Sequence, residues 1–379
     1  MPASPDKNAK TRNWGNSPWH IEFRPEAREI PEAVDFAIVG GGFTGLSAAA
    51  RLATLAPAKR IAVLEAETIG AGSSGHTGGL ALAETAAGDM PGLGDVLAGV
   101  SKIVNDLKLD CDLTLPAVWE VDHATFNAKS PISWNDDSGR LRVAKEVPGG
   151  TIDPGKMVSG LAQAAVARGA LIFENARIEN LQFGHPTVLN VRGKTVKADH
   201  VLIATNALSL ELSALTERSE PKFTLALATA SLTQEQLQSL GLASGKPFYT
   251  IDLPYLWGRL WQGNRIIFGS GLVHVSDWRE LLTLNVNTGE AARLMKNLER
   301  RVHGFHPVLE TIEITNRWGG PILIADKWQP IFAYHPRSDR TIVLGAYSGH
   351  GVMLSVYLGA WAAEGMLGRR EIPNWNSSD

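Results

Sequence analysis

Three glycines near the amino terminus have the spacing that a bound dinucleotide requires. Gly40, Gly42 and Gly45 follow the apolar run 34–39 and precede an alanine-rich segment, which predicts a strand, a tight turn and a helix. In such a turn Gly42 lets the backbone approach a pyrophosphate, which then sits at the positive end of the helix. Glu65, at the end of the next apolar run, is spaced to accept hydrogen bonds from ribose hydroxyls.

A second glycine-rich segment, residues 70–79, distinguishes between the two common dinucleotides. It follows soon after Glu65, and its glycines permit the close backbone approach that further donors to a long ligand require. A nicotinamide enzyme has no need of such a loop at this position, whereas FAD extends beyond the first loop. The sequence therefore predicts FAD.

Composition limits the classes of protein that could carry these loops. The 379 residues are 44% hydrophobic and 20% charged, which fits a globular enzyme of two domains. The formal net charge of -3 gives no reason to expect a nucleic-acid or membrane partner. The single cysteine, Cys111, excludes an internal disulfide and argues against a thiolate metal site. With no apolar leader and no membrane span recognisable, we expect a cytoplasmic protein without a metal; its oligomeric state stays open.

The apolar patterns indicate interleaved domains. Short buried-strand runs occur near both ends and within 151–210, whereas residues 222–275 alternate and are rich in aromatics, as in an antiparallel sheet. The fold class predicted is α/β, a doubly wound FAD-binding domain interleaved with an α+β substrate domain built on an antiparallel sheet. The expected bounds are 1–33 for an N-terminal arm pinned by Trp14 and Trp19, 34–93, 151–212 and 321–379 for the FAD-binding domain, and 94–150 and 213–320 for the substrate domain.

Five segments together resemble the D-amino-acid oxidase-like family of FAD-dependent oxidoreductases. The tryptophan-rich N-terminal arm and Asn316-Arg317-Trp318-Gly319-Gly320 resemble its gamma-glutamylputrescine oxidase-like branch. The resemblance covers residues 34–368. Its segments are Val39-Gly40-Gly41-Gly42-Phe43-Thr44-Gly45-Leu46, Gly72-Ser73-Ser74-Gly75-His76-Thr77-Gly78-Gly79, Thr151-Ile152-Asp153-Pro154, Ala204-Thr205-Asn206-Ala207 and Tyr347-Ser348-Gly349-His350-Gly351-Val352.

The resemblance implies an activity. It implies oxidation of a C–N bond in a small amine or N-alkyl amino acid by hydride transfer to flavin N5, followed by hydrolysis of the imine. One alternative is a flavin-binding subunit of a larger dehydrogenase assembly. Another is a tRNA-modifying flavoenzyme, against which the near-neutral charge argues.

The resemblance also implies a cofactor site drawn from several segments. Its residues are Gly40, Gly42, Phe43, Thr44, Gly45, Glu65, Ala66, Ser73, Ser74, His76, Thr77, Gly78, Gly79, Leu80, Ile178, Ala204, Thr205, Asn206, Ser348, Gly349, His350, Gly351, Val352 and Met353. In the family the last segment closes over the flavin ring at a helix N-terminus, which stabilises negative charge on the reduced ring. Dimethylglycine dehydrogenase-like members attach the flavin covalently through a histidine in the second loop, so His76 is either a covalent link or a non-covalent neighbour.

Departures from the family concern the substrate. Relatives of the glycine oxidase type carry a carboxylate-binding arginine shortly after the equivalent of Trp318, and none follows here, which favours an amine or N-alkyl amine. Arg259 is a rival carboxylate anchor or else a solvated strand arginine. Tyr255 and Trp257 form an aromatic cage for an alkylammonium group or else pack in the core. These three residues and His350 are the catalytic candidates.

The electron acceptor is left undecided by the sequence. Oxygen-reactive sarcosine oxidases place a lysine in the region that here is 265–269, and this region has none. The acceptor is therefore either oxygen or another carrier.

Overall fold

The computed structural model describes residues 12–124, 129–137, 139–215, 217–373 and 375. The helices are α1 (Phe43–Leu55), α2 (Val96–Leu107), α3 (Pro154–Val166), α4 (Leu210–Ser213), α5 (Gln234–Leu240), α6 (Gly289–Phe305) and α7 (Gly351–Met366). The strands are β1 (Ala33–Val39), β2 (Ile61–Leu64), β3 (Leu80–Leu82), β4 (Val118–His123), β5 (Asn135–Asp136), β6 (Gly139–Val147), β7 (Gly149–Thr151), β8 (Leu171–Phe173), β9 (Ile178–Gln182), β10 (Thr187–Val191), β11 (Lys194–Ile203), β12 (Ser219–Thr229), β13 (Phe248–Thr250), β14 (Leu256–Trp261), β15 (Arg265–His274), β16 (Ile314–Ala325), β17 (Ile331–His335) and β18 (Ser338–Gly345).

Two compact units divide the described residues. The first contains those up to Pro18 and those within Trp119–Glu146 and Pro221–Pro321. The second contains those within Trp19–Val118, within Val147–Glu220 and from Ile322 onward. Both units are discontinuous in sequence, so each is completed by segments far apart along the chain.

A largely parallel sheet forms the centre of the second unit. Its order is β17-β18-β11-β1-β2-β8, and the strands from β18 to β8 run parallel. The four residues of β2 are all buried, as expected for a strand covered on both faces. Helices α1, α3 and α7 bury their apolar residues in the same core cluster as β1 and β2. The doubly wound fold predicted from sequence is confirmed.

The first unit contains a mainly antiparallel sheet in the order β16-β12-β15-β14-β13-β4-β6-β5. Helix α6 packs against this sheet through Phe305, whose ring stacks on Phe248 and lies against Trp134 with centroids 4.7 Å apart. Phe268 meets the same cluster edge-on. The aromatic-rich stretch of the sequence is therefore an antiparallel sheet with an aromatic core on one face.

The expected domain bounds differ from these units in one large segment. The sequence pattern groups residues 94–118 with the substrate domain, but these residues lie in the second unit. The physical reason is helix α2, which packs on α7 and buries Val96 and Val100 in the core of the parallel sheet.

Two indoles anchor the N-terminal residues, as the sequence had suggested. Trp14, in the first unit, is 3% exposed and donates from Nε1 to the Leu281 carbonyl at 2.9 Å. Trp19, in the second unit, is 8% exposed and donates to the Thr77 carbonyl at 2.7 Å. Among the described residues, no helix combines the length and apolar character needed to cross a bilayer.

Candidate active site

Three loops of the second unit meet at one edge of its parallel sheet. Strands β1, β11 and β18 are hydrogen-bonded neighbours that run in the same direction. Residues 40–42, 204–206 and 346–348 follow the carboxyl ends of these strands. Ligands of doubly wound proteins bind in the crevice outside this edge, so the topology brings together three segments predicted separately from the sequence.

The first glycine loop has no room for side chains. Gly40 has a φ of +111°, and a Cβ there would lie 2.6 Å from the Ala204 carbonyl oxygen. A Cβ at Gly45 would collide with the carbonyl of Gly40. Gly42 is the N-cap of α1 and has no side chain with which to cap it, so the positive end of this helix consists of backbone N–H groups, one of which bonds to Ser74.

Glu65 holds the first loop from the next strand. Its Oε2 accepts the Gly41 N–H at 2.7 Å, and its Oε1 accepts the Glu67 N–H at 2.9 Å. Burial raises the pKa of Glu65 above its ordinary value, an effect that these two bonds oppose. A carboxylate has about four lone-pair sites, so it can accept ribose hydroxyls as well as these amides. Ala66, beside it, is half-buried.

The second glycine loop is tied to the first. Gly70 donates its N–H to the Gly41 carbonyl at 3.0 Å, and Phe43 donates its N–H to Ser74 Oγ at 2.9 Å. Asn206 donates from Nδ2 to Ser73 Oγ at 3.2 Å. The loop therefore has fixed positions relative to α1 and to the end of β11.

His76 lies within this loop and is half-buried. Its Nδ1 is 2.9 Å from the Gly72 carbonyl oxygen. Because a carbonyl only accepts, Nδ1 carries the proton, and Nε2 is the nitrogen with the lone pair. A nucleophilic imidazole needs that lone pair. The geometry is compatible with either role of His76 and does not show a covalent link.

The remaining residues of the loop lead into two strands. The Thr77 carbonyl accepts a hydrogen bond from the indole N–H of Trp19. The Gly79 carbonyl accepts one from the backbone N–H of Ile152. Gly78 is buried between them. Leu80 begins β3, while Ile178, elsewhere in the unit, is buried at the start of β9.

The turn before α7 has a constrained backbone. Ala346 and Ser348 have φ values of 55° and 51°, which side-chain-bearing residues rarely adopt, and Gly349 follows at 89°. Asn206 Oδ1 accepts the Ala346 N–H at 3.0 Å and so fixes the turn from β11. The turn ends at His350, the N-cap of α7, whose side chain makes no capping bond. Gly351, Val352 and Met353 form the first turn of α7.

The surroundings of His350 favour its neutral form. Its Nδ1 lies 3.3 Å from the Ser348 carbonyl oxygen and donates a hydrogen bond to it. Burial lowers the pKa of His350 below its ordinary value, because the imidazolium form loses its hydration. The lone pair on Nε2 can then accept a proton.

The residues of this edge fit FAD. Two helix ends lack side-chain caps of their own, and both suit negative charge. Thr205 Oγ1 is buried and finds no hydrogen-bond partner among the described residues. A buried hydroxyl normally has a partner, and a polar ligand would supply one.

The substrate candidates lie in the first unit on alternate positions of β14. Trp257, Arg259 and Trp261 project to one face of the strand, opposite Leu256, Gly258 and Leu260. Gly258 contacts the aromatic core, since a Cβ there would lie 2.6 Å from Phe248. Trp257, Arg259 and Trp261 therefore occupy the face of the sheet opposite to the one on which helix α6 packs.

The substrate candidates differ in their exposure to solvent. Arg259 is 5% exposed, so it is not a solvated strand arginine. Its Nε donates to the Leu260 carbonyl at 3.1 Å. Trp257 lies over Gly269, where a Cβ would collide with its indole. Tyr255 is 48% exposed and therefore does not pack in the core.

Arg317, the arginine that precedes Trp318, is paired with a carboxylate. Its guanidinium makes a bidentate pair with Glu299 on α6, with Nη2 2.8 Å from both carboxylate oxygens. It therefore has a structural partner within the first unit.

One further group was not expected from the sequence. Among the described residues, Asp122, His123 and Asp252 bring metal-ligand atoms within 4.8 Å of one another. His123 bonds to Asp252 through Nδ1 at 2.6 Å and to Asp136 through Nε2 at 3.1 Å, and Arg142 approaches Asp122 at 3.8 Å. The hydrogen bond to Asp136 raises the pKa of His123. These pairings describe an ion-pair network.

Known proteins share both the sequence pattern and the fold. The model of the DAO family, FAD dependent oxidoreductase, matches residues 35–365. Gamma-glutamylputrescine oxidoreductase of Escherichia coli (strain K12) is 27% identical over 89% of this chain and 84% of its own. Probable oxidoreductase OrdL of Rhizobium meliloti (strain 1021) is 24% identical over 93% and 88%.

Solved structures show the same fold. Glycine oxidase from Geobacillus kaustophilus superposes with a TM-score of 0.67 at 20% identity, covering 90% of this chain and 96% of its own. L-Proline dehydrogenase from P. horikoshii superposes with a TM-score of 0.67 at 15% identity, covering 91% and 96%.

Replacement of Gly42 by valine should weaken FAD binding by at least about tenfold. The added Cβ would lie 2.9 Å from Ser74 Oγ, so the side chain displaces the hydroxyl that holds Phe43 and fills the approach to the helix end. Titration of apoprotein with FAD measures the effect. Gly304→Val is the matched control, because a Cβ there meets nothing within 4 Å. Equal affinity in both variants would remove the first loop from the cofactor site.

Acid precipitation of the purified protein tests the covalent role of His76. If Nε2 is bonded to the flavin, the pellet stays yellow in wild type and becomes colourless in His76→Ala. If His76 is a non-covalent neighbour, the wild-type pellet is colourless and His76→Ala alters FAD affinity only modestly. A yellow pellet in both proteins would assign the attachment to another residue.

Proposed function

The chain belongs to the DAO family of FAD-dependent oxidoreductases, and we propose that it oxidises a C–N bond in a small amine or N-alkyl amino acid to an imine, which water then hydrolyses. The relative at 27% identity carries the name of an oxidoreductase for an amine. Bound FAD supplies the two-electron acceptor for this reaction. The residues of this chain that would hold FAD lie in the two glycine loops and at the N-terminal ends of α1 and α7.

The burial of Arg259 is the observation that carries the proposal furthest. Arg259 is 5% exposed and lies on the strand face that also carries Trp257 and Trp261. A carboxylate on the substrate would pair with a guanidinium in the bidentate geometry that arginine favours. This supports a substrate with both an amine and a carboxylate, and it supports Arg259 as the anchor of the carboxylate.

The indoles beside Arg259 suit the rest of such a substrate. Trp257 and Trp261 lie two residues to either side of Arg259 on the same face of β14. Aromatic rings attract an alkylammonium group through its charge and pack against alkyl carbons. Tyr255, exposed immediately before the strand, extends the same row of alternate residues.

Proton handling falls to His350 in this proposal. An amine gives up electrons only when its nitrogen lone pair is free, so the ammonium form must lose a proton before oxidation. The neutral imidazole of His350 offers an acceptor nitrogen at the N-terminus of α7. It can take that proton from the substrate directly or through one water.

Anaerobic mixing of the protein with a panel of amines and amino acids tests the proposal. Bleaching of the flavin spectrum by the chain alone is expected for an oxidoreductase of amines. No bleaching with any member of the panel would favour the alternative of a flavin-binding subunit that needs a partner. Reoxidation by oxygen or by an artificial carrier then identifies the class of acceptor.

Arg259→Met should lower kcat/KM for a carboxylate-bearing substrate by at least about 30-fold, because a lost charge pair in a pocket costs about 2–5 kcal/mol. The decarboxylated analogue of the substrate should be affected little. Arg279→Met, at an arginine whose side chain is 59% exposed, is the control and should behave as wild type. Equal losses for both substrates, with FAD content and thermal unfolding unchanged, would remove Arg259 from carboxylate binding.

The pH profile of kcat/KM should fall on the acid side with a midpoint below about 6.5, the ordinary pKa of histidine. Burial lowers the pKa of His350, so the imidazole stays neutral as pH falls until that lower value is reached and then loses its acceptor nitrogen. In His350→Gln this acid limb should disappear while maximal activity drops. An acid limb that keeps its midpoint in the variant belongs to another group.

A further inference from the structure

A hydrogen bond joins the first turn of α1 to the turn that precedes α7. The hydroxyl of Tyr347 lies 2.7 Å from Oγ1 of Thr44, across 303 positions of sequence. Both side chains are 6% exposed. Tyr347 belongs to the constrained turn before α7, and Thr44 belongs to the first turn of α1. The bond therefore connects two loops that the proposed site assigns to different ends of FAD.

The two helices are aligned so that their positive ends lie on the same side. Further along them, Ser47 Oγ donates to the Val356 carbonyl at 2.6 Å, and Arg51 pairs with Glu364 at 2.6 Å. The two helices therefore run in the same direction. Gly359 permits this packing, because a Cβ there would collide with the Thr44 carbonyl.

Helices that run in the same direction present their positive ends to the same edge of the sheet. FAD brings two groups that such ends suit, a pyrophosphate and, when reduced, a negatively charged ring. Neither helix end has a side-chain cap of its own. The separation of the two ends then determines how well both parts of the cofactor are bound at the same time.

We propose that Tyr347 is a positioning residue that fixes the end of α7 against the end of α1, so that the phosphate-binding and ring-binding parts of the FAD site keep one register. The inference rests on the proposed FAD site and not on the identity of the substrate. Tyr347 acts as a neutral partner, since burial raises the pKa of its phenol far above the ordinary value. Its role is geometric: loss of the hydroxyl leaves the ring in place and frees the two turns from each other.

Tyr347→Phe removes this hydroxyl with little change in volume, and Tyr357→Phe is the matched control. Tyr357 is also on α7, and its hydroxyl donates to the Leu93 carbonyl at 2.9 Å, away from α1. Thr44→Val removes the other partner of the bond. Two quantities are measured in each variant and in the double variant: the dissociation constant of FAD from titration of apoprotein, and the midpoint potential of the bound flavin.

Tyr347→Phe should raise the FAD dissociation constant about tenfold over the control, as expected for a buried hydrogen bond. It should bind the reduced flavin more weakly still, because the reduced ring depends on the end of α7. Each further tenfold loss for the reduced form lowers the two-electron potential by about 30 mV. The double variant should match either single variant, since both remove the same bond.

Several results would overturn the inference. Equal affinity and potential in Tyr347→Phe and Tyr357→Phe would show that the bond has no effect on the cofactor. Additive effects of Thr44→Val and Tyr347→Phe would show that the two side chains act separately. If the flavin is covalent, the potential alone decides.

Failure of this inference is distinguishable from failure of the proposed function. A protein that oxidises no amine, yet shows the expected change in FAD affinity and potential, retains the positioning role of Tyr347. A protein that oxidises an amine with an unchanged potential in Tyr347→Phe loses only that role.

Discussion

Parallel pairing of β1 with β11 and of β11 with β18 is the constraint on which the cofactor edge depends. Parallel strands end at the same edge of a sheet, so the residues after Val39, Ile203 and Gly345 have to be neighbours there. The intervening chain serves to return each strand to this sheet. Because α1 follows β1 and α7 follows β18, the two helices have the same orientation, and their positive ends point to the same edge of the sheet.

Backbone conformation at that edge is costly and is held by side chains from other loops. Ala346 and Ser348 adopt left-handed conformations without being glycine. Asn206 compensates by bonding the Ala346 N–H and, through its other atom, Ser73. Glu65 performs the corresponding role for the first glycine loop. The polar side chains of the site thus stabilise the loops as well as offering contacts to a ligand.

The two faces of the sheet in the first unit differ in composition. Phe248, Phe268 and Phe305 provide the apolar packing on the α6 side, where burial of aromatic rings stabilises the unit. The other face of β14 carries Arg259 and two indoles. Strand alternation makes this division possible, because neighbouring residues project to opposite faces. Arg259 and the two indoles therefore occupy positions that the aromatic core does not use.

The sequence by itself determined the fold class, and it picked out the loops that meet at the edge of the parallel sheet. Runs of apolar residues ending in glycine, with an acid at a fixed spacing, are local features, and local features can be recognised along a chain. Resemblance to a family added the turn at 347–352 and the second loop. Residues 94–118 lie in the second unit, whereas the sequence pattern groups them with the substrate domain. An amphipathic pattern indicates that a helix has a buried face, but it does not indicate which core that face joins.

Tertiary structure alone decided the burial of Arg259 and the partner of Tyr347. An alternating strand gives two faces of similar composition, and no local pattern states how deeply an arginine on one of them is covered. The Thr44–Tyr347 bond joins residues 303 positions apart, and a threonine in a helical first turn has no sequence mark for a distant phenol. Such contacts depend on how the strands order themselves in the sheet, which is settled only when the whole chain folds.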